Sequence, residues 1–175
     1  MNAAEDPQRA RELLDALDAY RPARQAFLAT LGLPASNRDP FAEFSEQLVH
    51  ALMGGTLAES RVQAGHDLVL LDDRKVQVRY LANPGNAWVN EHLVHPIPGV
   101  ELYTLVIFEA FAVAGVLVFP TDALAPICTA LGKRHPRQHE QLQFTRRNFW
   151  AIRDNPTKFE ALGMRVWLPP LTRFA

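Results

Sequence analysis

Two short β-type runs joined by a tight turn constrain this chain more than any other feature. His66–Leu71 and Lys75–Leu81 are separated by Asp72, Asp73 and Arg74, residues of hairpin-turn type. In the second run Val76 and Val78 point one way, and Lys75, Gln77 and Arg79 the other. Two later runs, Glu101–Glu109 and Ala114–Pro120, are nearly continuous in apolar residues, as strands covered on both faces are. A sheet follows, and it needs helices to cover it.

The helical periodicities lie on either side of these runs. Asp6–Leu31 reads as one or two amphipathic helices, with Leu13, Leu14, Leu17 and Tyr20 at helical spacing and a break expected at Pro22. A polar connector through Ser36 and Pro40 leads to a helix over Pro40–Met53. Its apolar residues Phe41, Phe44, Leu48, Ala51 and Leu52 share a face, Asp39 caps it, and Gly54-Gly55 stops it. Thr121-Asp122 opens another helix that includes Ala123–Leu131 and ends at Gly132. Beyond Gln141, a helical piece is expected around Asn148–Arg153 or Lys158–Leu162, with a last strand over Arg165–Leu168. The Pro- and Gly-rich stretch Asn83–Val100 is read as a loop. The expected class is α/β: a central mixed sheet flanked by helices. At 175 residues the chain is read as one domain, with 1–39 a helical extension and 40–175 the core.

Composition narrows the functional classes. The net charge of −1 is not that of a wholly basic nucleic-acid binder, so any such binding must come from a local patch. One candidate is Leu131–Arg153, which carries Lys133, Arg134, Arg137, Arg146, Arg147 and Arg153 against Glu140 alone. His135, His139, Phe144, Phe149 and Trp150 are interleaved with them, a mixture suited to phosphates and stacked bases. The plainer alternative is a solvated helix face with its aromatics in the core. The single cysteine, Cys128, excludes an internal disulfide and a zinc site of several thiolates. The N-terminal residues lack a signal-peptide pattern, and the longest apolar run, Ala110–Phe119, is too short to span a bilayer. Cytoplasmic residence and no membrane partner are the expectations.

The segment Gly65-His66-Asp67 through Gln77-Val78-Arg79 resembles the core of the PD-(D/E)XK nucleases, in which an Asp on one strand is followed by acid-x-Lys on the next. Glu46 on the preceding helix matches the further Glu that such helices often supply, and the stretch is similar to small nuclease-like bacterial proteins of unknown role. The resemblance covers Pro40–Tyr80 well and the two later strands loosely. It implies a restriction endonuclease-like core, a Mg²⁺ or Mn²⁺ ion held by Asp67, Gln77 and Glu46, and Arg79 on the scissile phosphate. The implied activity is metal-dependent hydrolysis of DNA in restriction or repair. Lys75, Arg134, Arg137, Arg146 and Arg147 would hold the strand, and a homodimer is expected by analogy with nucleases that cut both strands. Magnesium needs only one or two carboxylates plus substrate phosphate, so the sparse set suffices. Two departures stand out: Gln77 offers a neutral oxygen where a carboxylate is usual, and the guanidinium of Arg79 stays protonated and is a poor base. The alternative is a catalytically inactive module of the same fold that binds nucleic acid or protein.

Other chemistries are less well supplied. The sequence has no glycine-rich phosphate loop and no Gly-x-Ser-x-Gly elbow. His92 and His95, with Glu91, suggest a second metal site, although a loop over an active site is an equal reading. His50 lies one turn after Glu46 and is more commonly a surface residue than a ligand. His66, beside Asp67, should point to the opposite face.

Overall fold

The structure, a computed structural model, describes residues 6–59, 65–85, 87–88, 91–133 and 141–170. The chain divides into two compact units, 1–44 and 45–175.

In the first unit, α1 spans Pro7–Thr30 without interruption. Asp6 caps it, its carboxylate accepting the Arg9 N–H at 2.9 Å. The break expected at Pro22 does not occur. A proline removes one backbone donor, and on a helix whose residues are nearly all exposed water can satisfy the carbonyl left over. Leu13, Leu14, Leu17 and Tyr20 are all at least half exposed, and Leu28 is the residue of α1 that is buried. The Arg24 guanidinium holds the connector through the carbonyls of Ser36 (3.1 Å) and Arg38 (2.9 Å). Phe27 stacks on Phe44 with ring centroids 5.8 Å apart.

Helix α2 (Pro40–Met53) runs from the first unit into the second. Asp39 accepts the Phe41 N–H at 2.7 Å, and the Gly54 N–H closes the last turn on the His50 carbonyl. The buried side chains of α2 are Glu43, Ser45, Glu46 and Val49, whereas the apolar residues expected to share the covered face are half-buried or, for Ala51, exposed.

The second unit is built on a mixed six-stranded sheet. Its strands are β1 (Thr56–Leu57), β2 (Leu68–Val69), β3 (Lys75–Asn83), β5 (Leu102–Glu109), β6 (Ala112–Pro120) and β8 (Arg165–Trp167), in the order β1-β2-β3-β5-β6-β8, while β4 (His92–Val94) and β7 (Leu142–Phe144) belong to a smaller sheet. The hairpin β2–β3 forms as expected, Asp73 taking a positive φ in its turn, but only Leu68 and Val69 of the first run are strand. Strand β5 lies parallel to β3 and antiparallel to β6. All of Leu102–Phe108 is buried, so β5 is covered on both faces as its apolar run requires.

One sheet face presents Leu81, Tyr103, Leu105, Ile107, Leu117 and Phe119 to a single core. Against it pack α3 (Leu124–Ala130, after a 3₁₀ turn), α4 (Arg146–Asp154) and α5 (Pro156–Glu160), through residues including Ile127, Phe149, Ile152 and Phe159. The helical piece expected at Asn148–Arg153 or Lys158–Leu162 is present as α4, and α5 covers part of the second range as well. The region read as a loop contains β4 (His92–Val94), which pairs with β7 (Leu142–Phe144) in a second, two-stranded sheet. Three-residue strands carry too little periodicity to stand out in a sequence. Among the described residues no helix is long and apolar enough to cross a membrane.

Candidate functional site

The pleat of β3 puts Lys75, Gln77, Arg79 and Leu81 on the face that carries the core, and β5 continues that face: Gln77 stands opposite Tyr103, and Arg79 opposite Leu105. The face is apolar at its centre and turns polar toward β2. There the register of β2 covers Lys75 and Val76 of β3 and goes no further. Past that point the backbone of β3 needs another partner on this side. Asp67, just before β2, provides it: its Oδ2 accepts the Val78 N–H at 2.7 Å and also the side-chain N–H of Gln77. A carboxylate thus takes the place of a ladder carbonyl, and being charged it accepts more strongly than a carbonyl does.

Asp67 is 4% exposed and Gln77 5%, so the pair is buried with its bonding satisfied from within the hairpin. Arg79 is the outer member. Its Nη1 donates to the Val78 carbonyl at 3.0 Å and stands 3.7 Å from Asp67 Oδ2, while half of its side chain is exposed. Three of the residues singled out from the sequence are therefore gathered in one place. Glu46 is buried on α2 and has interactions of its own. Among the described residues no three His, Cys, Asp or Glu side chains converge as a metal-binding group. A half-turn of the Gln77 amide would set its carbonyl oxygen beside the Asp67 carboxylate, a pair of hard oxygens that fits a largely hydrated Mg²⁺ better than a caged ion.

Tyr103 belongs to the same neighbourhood and was not legible as such, being one residue in a nearly continuous apolar run. It is 2% exposed, and its hydroxyl lies 2.7 Å from His92 Nε2. His92 and His95 each set a ring 5.9 Å from the phenol ring. Burial pushes the Tyr103 phenol up to about 12, with Arg79 pulling against the rise and Asp67 adding to it. Burial first, then the Arg79 charge and the neighbouring His95, hold the His92 imidazole below its usual range. The two histidines read as a possible metal pair are thus engaged otherwise: His95 Nδ1 meets the Leu93 carbonyl at 3.2 Å, and Glu91 accepts from the Gln143 amide. His50 meets the Gly55 carbonyl at 3.1 Å.

The basic segment is only partly described. Arg134 and Arg137, with His135, His139 and Glu140, lie outside the described residues. Lys75 and Arg147 are exposed. Arg146 is held at its own end of the sheet, 3.3 Å from Glu109 and with its guanidinium carbon 4.6 Å from the centre of the Trp150 ring. Glu109 also accepts the Trp88 indole N–H at 2.6 Å, and Trp88 stacks on Phe149, so this tryptophan packs against the core. Phe144 and Phe149 are core residues, and Trp150 is 39% exposed.

No protein-family model matches the chain, and no curated protein sequence matches it significantly.

Proposed function

We propose that the chain is a metal-dependent phosphodiesterase acting on nucleic acid, with DNA the expected substrate, on a core of the PD-(D/E)XK type. The observation that carries the reading is the buried Asp67–Gln77 pair at the point where β2 leaves β3, with Arg79 next along the same face. The element order supports it too: a helix bearing a buried Glu46, then a hairpin with its acid before the first strand and Gln-x-Arg on the second.

In this reading Asp67, Gln77 and Glu46 would hold the cation, which needs only one or two carboxylates beside substrate phosphate and water. Bound Mg²⁺ or Mn²⁺ supplies Lewis acidity and a water of lowered pKa. A guanidinium is a planar cation and a poor base, so the part of Arg79 is to hold a phosphate oxygen and offset the charge that builds on the phosphoryl group. Exposed Lys75 and Arg147 steer the strand toward the site. A role in restriction or repair is the setting in which this activity would serve.

A second reading has an observation of its own. Asp67 Oδ2 already accepts two hydrogen bonds within the hairpin, and Arg79 stands where a lysine is usual. A module that kept phosphate binding and lost hydrolysis would look the same. The deciding experiment is cleavage of supercoiled and single-stranded DNA with Mg²⁺ or Mn²⁺, comparing wild type, Asp67→Asn and Arg79→Lys. Metal-dependent cleavage abolished by Asp67→Asn supports the hydrolase. Absence of cleavage in wild type and in Arg79→Lys, with salt-dependent DNA binding retained, supports the binding module.

A further inference from the structure

Tyr103 and His92 adjoin the Asp67 group but have no part in the reading above, and their hydrogen bond fixes what His92 can offer. Among the described residues the buried Tyr103 hydroxyl meets no hydrogen-bond partner other than His92 Nε2, so its O–H is donated to that nitrogen. A neutral imidazole carries one N–H, so the proton must then reside on Nδ1. His92 is half-buried on β4 and is thereby locked as a neutral N–H donor, with His95 on the same phenol ring.

Arg79 supplies the charge. Among the described residues its guanidinium spends one hydrogen bond on the Val78 carbonyl and lies beyond hydrogen-bonding distance of Asp67, and half of its side chain is exposed. Most of its five donors remain for a ligand. Arg79 stands two residues beyond Gln77, on the same face of β3, and Gln77 is opposite Tyr103, so the geometry sets Arg79 beside Tyr103 and the His92 bonded to it.

We propose that Arg79 and His92, the latter oriented by Tyr103, form a phosphate subsite that takes the singly charged diester of a nucleic-acid strand. The diester is favoured over a doubly charged monoester because the Asp67 carboxylate lies 3.7 Å from the Arg79 guanidinium and opposes a second negative charge. His92 is a ligand-contacting residue in this scheme and Tyr103 a positioning residue. The identity of the ligand rests on the nucleic-acid reading above; hydrolysis is not required for binding.

The test is metal-free binding of a fluorescein-labelled single-stranded oligonucleotide, followed by anisotropy in EDTA at low salt. His92→Ala should weaken binding by about tenfold, the loss of one hydrogen bond to a charged group. His92→Asn, whose amide nitrogen stands near the position of Nδ1, should recover most of it. Tyr103→Phe keeps the ring and removes the lock, and should weaken binding severalfold. A dinucleotide diester should compete better than a 5′-mononucleotide or inorganic phosphate. Unchanged affinity in His92→Ala, or a wild type that binds no oligonucleotide, overturns the proposal. Imidazole ¹⁵N spectra of the wild-type protein test it without any substitution: His92 in the Nδ1–H form supports it, and the Nε2–H form overturns it. Metal-dependent cleavage that requires Asp67 but keeps its KM in His92→Ala would sink the subsite alone. Binding that depends on His92 in a protein that never cleaves would sink the hydrolase alone.

Discussion

Substituting Gly55 by alanine should damage the fold far more than the same change at Gly99, and the difference can be worked from the geometry. Gly55 has φ +93, and a Cβ built there would lie 2.3 Å from the Val69 carbonyl oxygen and 3.0 Å from Leu70 Cα. Both neighbours are backbone, so neither can swing away. Gly99 has a similar φ of +74 with nothing within 4 Å of the added atom. Each alanine incurs the cost of a left-handed backbone, about 1–2 kcal/mol. Gly55→Ala adds an overpacking cost of about 1–3 kcal/mol, because the loop after α2 must part from β2. Urea denaturation of the two variants beside wild type measures the gap directly. The expected result is a midpoint for Gly55→Ala well below that of Gly99→Ala at an unchanged slope. Equal midpoints would refute the argument. Since β2 leads directly from Asp67, Gly55→Ala should also weaken whatever the Asp67 group binds, and Gly99→Ala should not.

Other expectations are more local. Ala110 and Phe111 form the two-residue turn between β5 and β6 with φ of +49 and +58, where Asn-Gly is the favoured pair; Phe111→Gly should stabilise by roughly 0.5–1 kcal/mol in thermal or urea unfolding, and a loss of stability would contradict it. Trp88→Phe keeps the stacking on Phe149 but removes the N–H that Glu109 accepts, and should cost about 1–2 kcal/mol, read by the same denaturation. Tyr103 should ionise late, its phenolate absorbance rising near pH 12, and Tyr103→Phe should abolish that step. The linked stability has a definite sign: the folded phenol holds its proton more tightly than the unfolded one, so the contribution is complete below about pH 10 and is lost as pH rises toward 12. Stability that increases over that interval would show the assignment to be wrong.

What could be read from the sequence was whatever repeated over enough residues. The helix Pro40–Met53, the hairpin through Asp73 and the apolar strands β5 and β6 each carry several turns or alternations, and all are present. Strands β1, β4 and β7 hold two or three residues each, and β4 and β7 find each other only across a long stretch of chain. On α1 the periodicity of Leu13, Leu14 and Leu17 was visible, yet these side chains remain exposed, because spacing defines a face without specifying what covers it. Asp67, Gln77 and Arg79 were legible because a hairpin fixes its own register. Tyr103 was not, since the parallel pairing that sets it beside Gln77 joins strands separated by the whole 84–101 segment. The signal that could have found it was a polar-tipped aromatic in an apolar run, preceded by two histidines that needed a partner.

The carboxylate that stands in for a strand partner at Val78 has one more consequence. The ladder links between paired strands are main chain to main chain, but this one can be withdrawn by a side-chain rotation. A ligand that draws Oδ2 toward itself takes the acceptor away from the Val78 amide, so occupancy of the site and protection of a single backbone proton compete for one oxygen atom. The exchange rate of that proton is therefore a built-in gauge: whatever engages Asp67, ion or solute, should be registered as faster exchange at Val78 while the amides in the middle of β5 stay slow.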